Sequence, residues 1–226
     1  MTTIVIIGAG RGLGAAVARQ FGHGGFDVAL ISRSQDRLDA LAAGLTAEGV
    51  TAEGVTARGF TADVRDPSAL EAALDAATAT LGPIEVLQYS PVPQKEFMRP
   101  VLDTAPADLA GPIEFSLYGP VTAVRQVLPG MRVLGRGTLL FVNGGSAVRP
   151  HPERAGTSIA FAAESAYARM LHETLAPDNV HVGQLIIPGA IVPGDPNTDP
   201  AVLARRLWDM HGERKGFRHY AHDLDS

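Results

Sequence analysis

The sequence predicts an α/β fold, a doubly wound parallel sheet in three layers. Three observations predict it. Short β-branched runs alternate with helical stretches along most of the 226 residues. A glycine-rich turn, Gly8-Ala9-Gly10-Arg11-Gly12-Leu13-Gly14, lies between the first such run and the first helix. No linker divides the chain, so residues 1–226 read as one domain. Strands that alternate with helices imply crossover connections, and these place helices on both faces of a parallel sheet.

The elements follow in order. Residues 3–7 form a β-branched run ending in glycine, a buried strand. Residues 14–22 have helical periodicity, with Ala15, Val17, Ala18 and Phe21 apolar. A second strand spans 27–32, and a helix over 34–45 carries Leu38, Leu41 and Leu45 on one stripe. A third strand ends at 60–62, and Asp66-Pro67-Ser68 opens a helix over 66–79. The fourth strand covers 84–89. Helices are predicted at 104–109 and 113–128, a strand at 137–142, a helix at 158–175 and a strand at 180–187. A helix over 200–211 reads as part of a late insertion at about 193–212, followed by a polar tail, 213–226. Residues 46–50 and 51–55 repeat one pentapeptide, Thr-Ala-Glu-Gly-Val, in a connection where extra length is tolerated.

Composition narrows the function. Apolar residues make up 46% and charged residues 19%, as in a folded chain. The formal charge of −5 argues against a nucleic-acid or anionic membrane surface. With no cysteine, disulfides and thiolate chemistry are excluded, and no His spacing suggests a metal site. No apolar run is long enough to span a membrane, and the N-terminus lacks a secretory signal pattern. The expected location is the cytoplasm.

The glycine turn carries the first functional signal. Gly8, Gly10, Arg11, Gly12, Leu13 and Gly14 would let the backbone approach a pyrophosphate at a helix N-terminus, in the Rossmann manner. The second strand ends in Ser32-Arg33 where an acidic residue would bind the ribose hydroxyls of NAD(H). Arginine instead offers a charge-assisted fork to a 2′-phosphate, so NADP(H) is the expected cofactor and NAD(H) the lesser alternative.

On these motifs the chain resembles the short-chain dehydrogenase/reductase family from about residue 3 to 191. Gly8, Gly12 and Gly14 match its glycine motif. Ala62-Asp63-Val64 matches the segment that meets the adenine, Ser90 and Pro91 fall in the segment after the fourth strand, and Pro188-Gly189-Ala190-Ile191 matches the Pro-Gly segment near the nicotinamide. The resemblance implies a small-molecule substrate and a homodimer or homotetramer built through the helices at 113–128 and 158–175.

The same resemblance implies a catalytic tyrosine with a lysine four residues on, the ammonium lowering the phenol's pKa. Those positions fall on Thr157 and Phe161. The only lysines are Lys95 and Lys215, so no register restores the pair. The asparagine position falls on Ser116, and Tyr89-Ser90-Pro91-Val92 replaces Asn-Asn-Ala-Gly. The serine position falls on Gly144, or on Ser146 if the loop shifts. Candidate replacements are Ser146, Ser158 and His151, the last because histidine ordinarily titrates near neutrality. Asn143 could also bind substrate or the nicotinamide amide. Three functions stay open: an NADP(H)-dependent oxidoreductase with a rebuilt proton relay, a redox-silent NADP(H)-binding sensor or scaffold, and a non-redox isomerase or eliminase.

Overall fold

The computed structural model describes residues 1–50 and 54–224. The second copy of the pentapeptide repeat lies partly outside the described residues. Seven strands form one parallel sheet in the order β3-β2-β1-β4-β5-β6-β7. They are β1 (Thr3–Ile7), β2 (Asp27–Ser32), β3 (Ala57–Thr61), β4 (Ile84–Tyr89), β5 (Gly137–Gly144), β6 (Val180–Ile187) and β7 (Arg218–Tyr220). The helices are α1 (Leu13–His23), α2 (Gln35–Ala47), α3 (Pro67–Leu81), α4 (Ala110–Ile113), α5 (Gly119–Leu134), α6 (Ala155–Leu175) and α7 (Pro200–Glu213).

The central strand β1 is apolar at four of its five positions because helices cover both of its faces. Val5 and Ile7 point into the core beneath α3, α5 and α6, with Leu70, Leu87, Val124 and Phe141. Ile4 and Ile6 point into the opposite core beneath α1, α2 and α7, with Val17, Phe21, Leu38 and Leu207. Strand β1 pairs with β2 on one side and β4 on the other. The winding reverses there, and such sheets leave a crevice at the carboxyl ends of those strands.

Two expectations for the last third of the chain are corrected. Residues 193–212 do not form an insertion: α7 is the crossover from β6 to β7. Trp208 of α7 packs edge-on against Phe21 of α1 at a centroid distance of 5.0 Å. A Cβ at Gly24 would lie 2.2 Å from that indole, so only glycine permits this approach. The 213–226 tail likewise contains β7, whose Arg218 pairs with Gln184 of β6. Three residues of mixed polarity carry too little period-2 pattern to reveal a strand.

Smaller shifts have local causes. The 104–109 segment forms a 3₁₀ turn at Pro106–Leu109, where Asp108 accepts from the Ala105 N–H at 2.9 Å. The helix expected at 113–128 is broken by a turn of π-helix, Glu114–Tyr118, before α5 begins. Helix α5 then runs past Pro129 because Val127 and Met131 extend its buried stripe. It stops at Gly135, in the left-handed conformation (φ 69°). Asp66 caps α3 as its sequence suggests, accepting from the Ala69 N–H at 3.1 Å. No described helix is long and apolar enough to cross a membrane.

Candidate active site

The ends of β1 to β6 open into two adjoining cavities of about 860 and 610 Å³. Gly8, Gly10, Pro91 and Val92 line both, so the two form one cleft along the carboxyl edge of the sheet. The Gly8 N–H and Ala9 N–H both donate to the Ile31 carbonyl at 3.0 Å, which fixes where the loop leaves β1. Gly8 has φ +92°, and a Cβ there would lie 2.6 Å from the backbone of Pro91. The Gly14 position is tight against Ala9, while Cβ atoms at Gly10 and Gly12 would meet nothing within 4 Å.

The backbone therefore makes a groove with open space over its middle glycines. Helix α1 starts there with no side-chain cap and no acidic residue in its first turn. A helix start of that kind offers N–H groups and the positive end of a dipole to an anion.

The outer cavity reaches Ser32, Arg33 and Arg37 past Arg11, and its far wall is Ala62, Asp63 and Val64. Arg11, Arg33 and Arg37 are exposed, and none has an ion-pair partner among the described residues. Arg19, on the same lining, is engaged with Glu48. Asp63 accepts from the Arg65 N–H at 3.0 Å, which holds the β3–α3 turn. Sequence reading missed Arg37. Its signal was a second arginine four residues after Arg33, one turn into α2.

The inner cavity lies over the ends of β5 and β6. Leu13, Gly14, Ser90, Ser146, His151, Pro188, Gly189 and Ile191 all line it. Every residue predicted for the cofactor lines one cavity or the other except Ala190. The left-handed turn at Gly189 (φ 76°) carries the chain so that Gly189 and Ile191 line the cleft and Ala190 does not.

The three proton-transfer candidates separate. Ser146 is half-buried on the lining. His151 is exposed on the lining, and its Nδ1 accepts from the Glu153 N–H at 3.2 Å. Ser158 is not on the lining. Its buried hydroxyl accepts from the His151 N–H at 3.0 Å and donates to the His151 carbonyl at 3.3 Å. It pins the loop that carries His151, a structural task. Lys95 is also off the lining.

Thr157 and Phe161, one helical turn apart on α6, both line the inner cavity and are buried. The Thr157 hydroxyl has no hydrogen-bond partner among the described residues. Phe161 sits beneath Gly144, where a Cβ would lie 3.7 Å from its ring. Tyr89 does not offer its hydroxyl to the cleft: it is buried and donates to the Phe115 carbonyl at 2.5 Å. Burial, with Glu164 and Asp63 nearby, raises its pKa well above the phenol's ordinary value.

From Asn143 on the lining a polar network that sequence reading did not find runs inward. The Asn143 amide is engaged at both ends. Its Nδ2 donates to Glu164 at 3.0 Å, and its Oδ1 accepts from Gln184 Nε2 at 2.8 Å. Gln184 Oε1 in turn accepts from Ser165 at 3.0 Å and from Arg218 of β7 at 2.9 Å. Burial pushes the Glu164 carboxyl up to about 8, against a smaller opposing effect of the Asn143 hydrogen bond. The available signal was spacing: Glu164 lies on the α6 face that carries Thr157 and Phe161.

Residues 2–198 match the short chain dehydrogenase family, and the chain belongs to it. Among curated relatives, a fatty acyl-CoA reductase of Mycobacterium tuberculosis is 27% identical over 193 residues. The match covers 84% of this chain and 63% of that protein. Among solved structures, the L-sorbose reductase of Gluconobacter frateurii, complexed with NADPH and L-sorbose, superposes with a TM-score of 0.86 at 20% identity. That match covers 100% of this chain and 97% of the other. An NADPH-bound short chain oxidoreductase of Pseudomonas aeruginosa PAO1, described as containing an atypical catalytic center, gives a TM-score of 0.85 at 20% identity. It covers 97% of this chain and 95% of the other.

Proposed function

We propose that the chain is an NADP(H)-dependent oxidoreductase acting on a small carbonyl or alcohol, with a proton path that uses no tyrosine–lysine pair. The observation that carries this reading is the continuous cleft: three basic side chains at its outer end, an open glycine groove in the middle and a mostly apolar cavity beyond. The residues present fit a dinucleotide. Backbone N–H groups around Gly10 to Gly14 would hold its diphosphate, and Arg33 with Arg37 would hold a 2′-phosphate. When bound, the nicotinamide supplies or accepts the hydride.

On the protein side, the Ser146 hydroxyl would orient the substrate oxygen. His151 accepts at Nδ1, so a neutral ring carries its proton on Nε2, the nitrogen left for exchange with substrate or water. The NADPH complexes of structural neighbours support the cofactor. Exposed Val133, Ile159 and Met170 on α5 and α6 support a homo-oligomer through those helices.

A fluorescence titration with NADPH and NADH tests this reading, on the protein and on Arg33→Glu. The protein should prefer NADPH by about tenfold or more, in line with a charge-assisted contact. The variant should lose or reverse that preference. An unchanged preference would contradict the role of Arg33.

The buried Thr157 and Phe161 favour one second reading, a redox-silent NADP(H) sensor. It requires that NADP and NADPH alter partner binding to different extents, and equal effects would remove it.

A further inference from the structure

Among the described residues the inner cavity has no carboxylate on its lining, although acidic residues outnumber basic ones 24 to 19 in the chain. Arg149, His151 and Arg154 do line it. Arg149 is engaged, its Nη1 donating to the Leu224 carbonyl at 3.4 Å. Arg154 is exposed at the start of α6 and has no ion-pair partner among the described residues.

Among the described residues no acid forms an ion pair with Arg154, although backbone hydrogen bonds hold the Asp195 and Asp199 carboxyls below the usual range. Glu153 is exposed beside Arg154 and makes no ion pair with it. Asp195 and Asp199 accept hydrogen bonds from backbone N–H groups of their own segment: Asn197 and Thr198 for the first, Gly194 and Ala201 for the second. Glu164, below the lining, is held mostly protonated at neutral pH. The apolar part of the lining includes Met98, Phe161, Ile187 and Ile191. Met98 and Ile191 remain about two-fifths exposed, so apolar surface on the lining is accessible to a ligand.

We propose that the substrate is an apolar carbonyl compound ending in an anionic head group, its hydrocarbon against Met98, Phe161 and Ile191 and its anion at His151 and Arg154. The inference deepens the oxidoreductase reading and rests on it for the carbonyl. The recognition chemistry is the chain's own: an arginine fork pairs well with carboxylate or phosphate. At about 610 Å³ the cavity lies within the range of small-molecule sites, with the nicotinamide assigned to its Ser146 side.

Calorimetry with three probes sharing an eight-carbon chain, octanoate, octyl phosphate and 1-octanol, tests the head group. Each is titrated into the protein alone and saturated with NADPH, whose own binding is read by fluorescence. At least one anion should bind about tenfold tighter than octanol, and the tighter anion identifies the head group. Arg154→Glu should abolish that preference while leaving octanol and NADPH binding unchanged. Octanol binding as tightly as both anions, a preference that survives Arg154→Glu, or no binding of any probe would overturn the proposal. Failure of NADPH binding with the anion preference intact would instead overturn the oxidoreductase reading, and the carbonyl with it, while the site for an apolar anion would stand.

Discussion

Glu164 accepts a hydrogen bond from Asn143 at one carboxyl oxygen, while its other oxygen, Oε1, has no partner among the described residues. A buried carboxyl in that state resists ionisation, and its pKa of about 8 compares with 4.5 for a solvated one. Below pH ~4.5 the group is protonated in both folded and unfolded chains and costs nothing. As pH rises toward 8 the unfolded chain ionises first, so stability falls across that window and levels off above it.

Glu164→Gln should therefore be nearly neutral at pH 4.5 and stabilising at pH 8.5, by on the order of 2–4 kcal/mol. Urea unfolding at the two pH values reads the difference. An equal effect at both would show that the carboxyl ionises freely in the folded protein.

The glycine loop allows stability and binding to be separated. Gly8→Ala combines a positive φ with a clash against Pro91 backbone, so it should cost about 2–4 kcal/mol and lower the urea midpoint. Gly10→Ala adds a methyl group to open space. It should leave the midpoint within about 0.5 kcal/mol. If a diphosphate crosses that space, Gly10→Ala weakens NADPH binding by tenfold or more, on the order of 1.4 kcal/mol. Unchanged affinity would place the diphosphate elsewhere.

Ser158 and Ser146 should behave oppositely. Ser158→Ala removes both hydrogen bonds to the His151 backbone and should cost about 1–3 kcal/mol in stability. Ser146→Ala touches the lining and should leave stability nearly unchanged while lowering turnover. If Ser158→Ala lowered kcat with no change in unfolding midpoint, the structural assignment of Ser158 would fail.

For the proposed assembly, Ile159→Glu combined with Met170→Glu should shift the protein toward a monomer, read by light scattering behind a sizing column. A mass unchanged from the parent oligomer would exclude that helix face as the interface.

The sheet was legible because its buried strands are near-continuous apolar runs: β1, β2, β4 and β6 begin or end within a residue or two of where their patterns do. The cleft was legible for the same kind of reason, since Gly8, Arg33, Asp63 and Pro188 sit at strand ends, which the topology brings together. What stayed hidden depends on three-dimensional partners. Ser158 looked available until its hydroxyl met the His151 backbone. Asn143 looked like a ligand contact until Glu164 and Gln184 took both ends of its amide. Strand β7 is stabilised by its pairing with β6 and by Phe217 in the core, neither of which a three-residue pattern encodes.

A crystal structure with NADPH tests the central claim most directly. The diphosphate should lie within hydrogen-bonding distance of backbone N–H groups between Gly10 and Gly14, with the 2′-phosphate at Arg33 and the nicotinamide in the cavity beside Ser146. A nucleotide bound away from the first strand–helix junction, or a junction left empty at saturating NADPH, would contradict it.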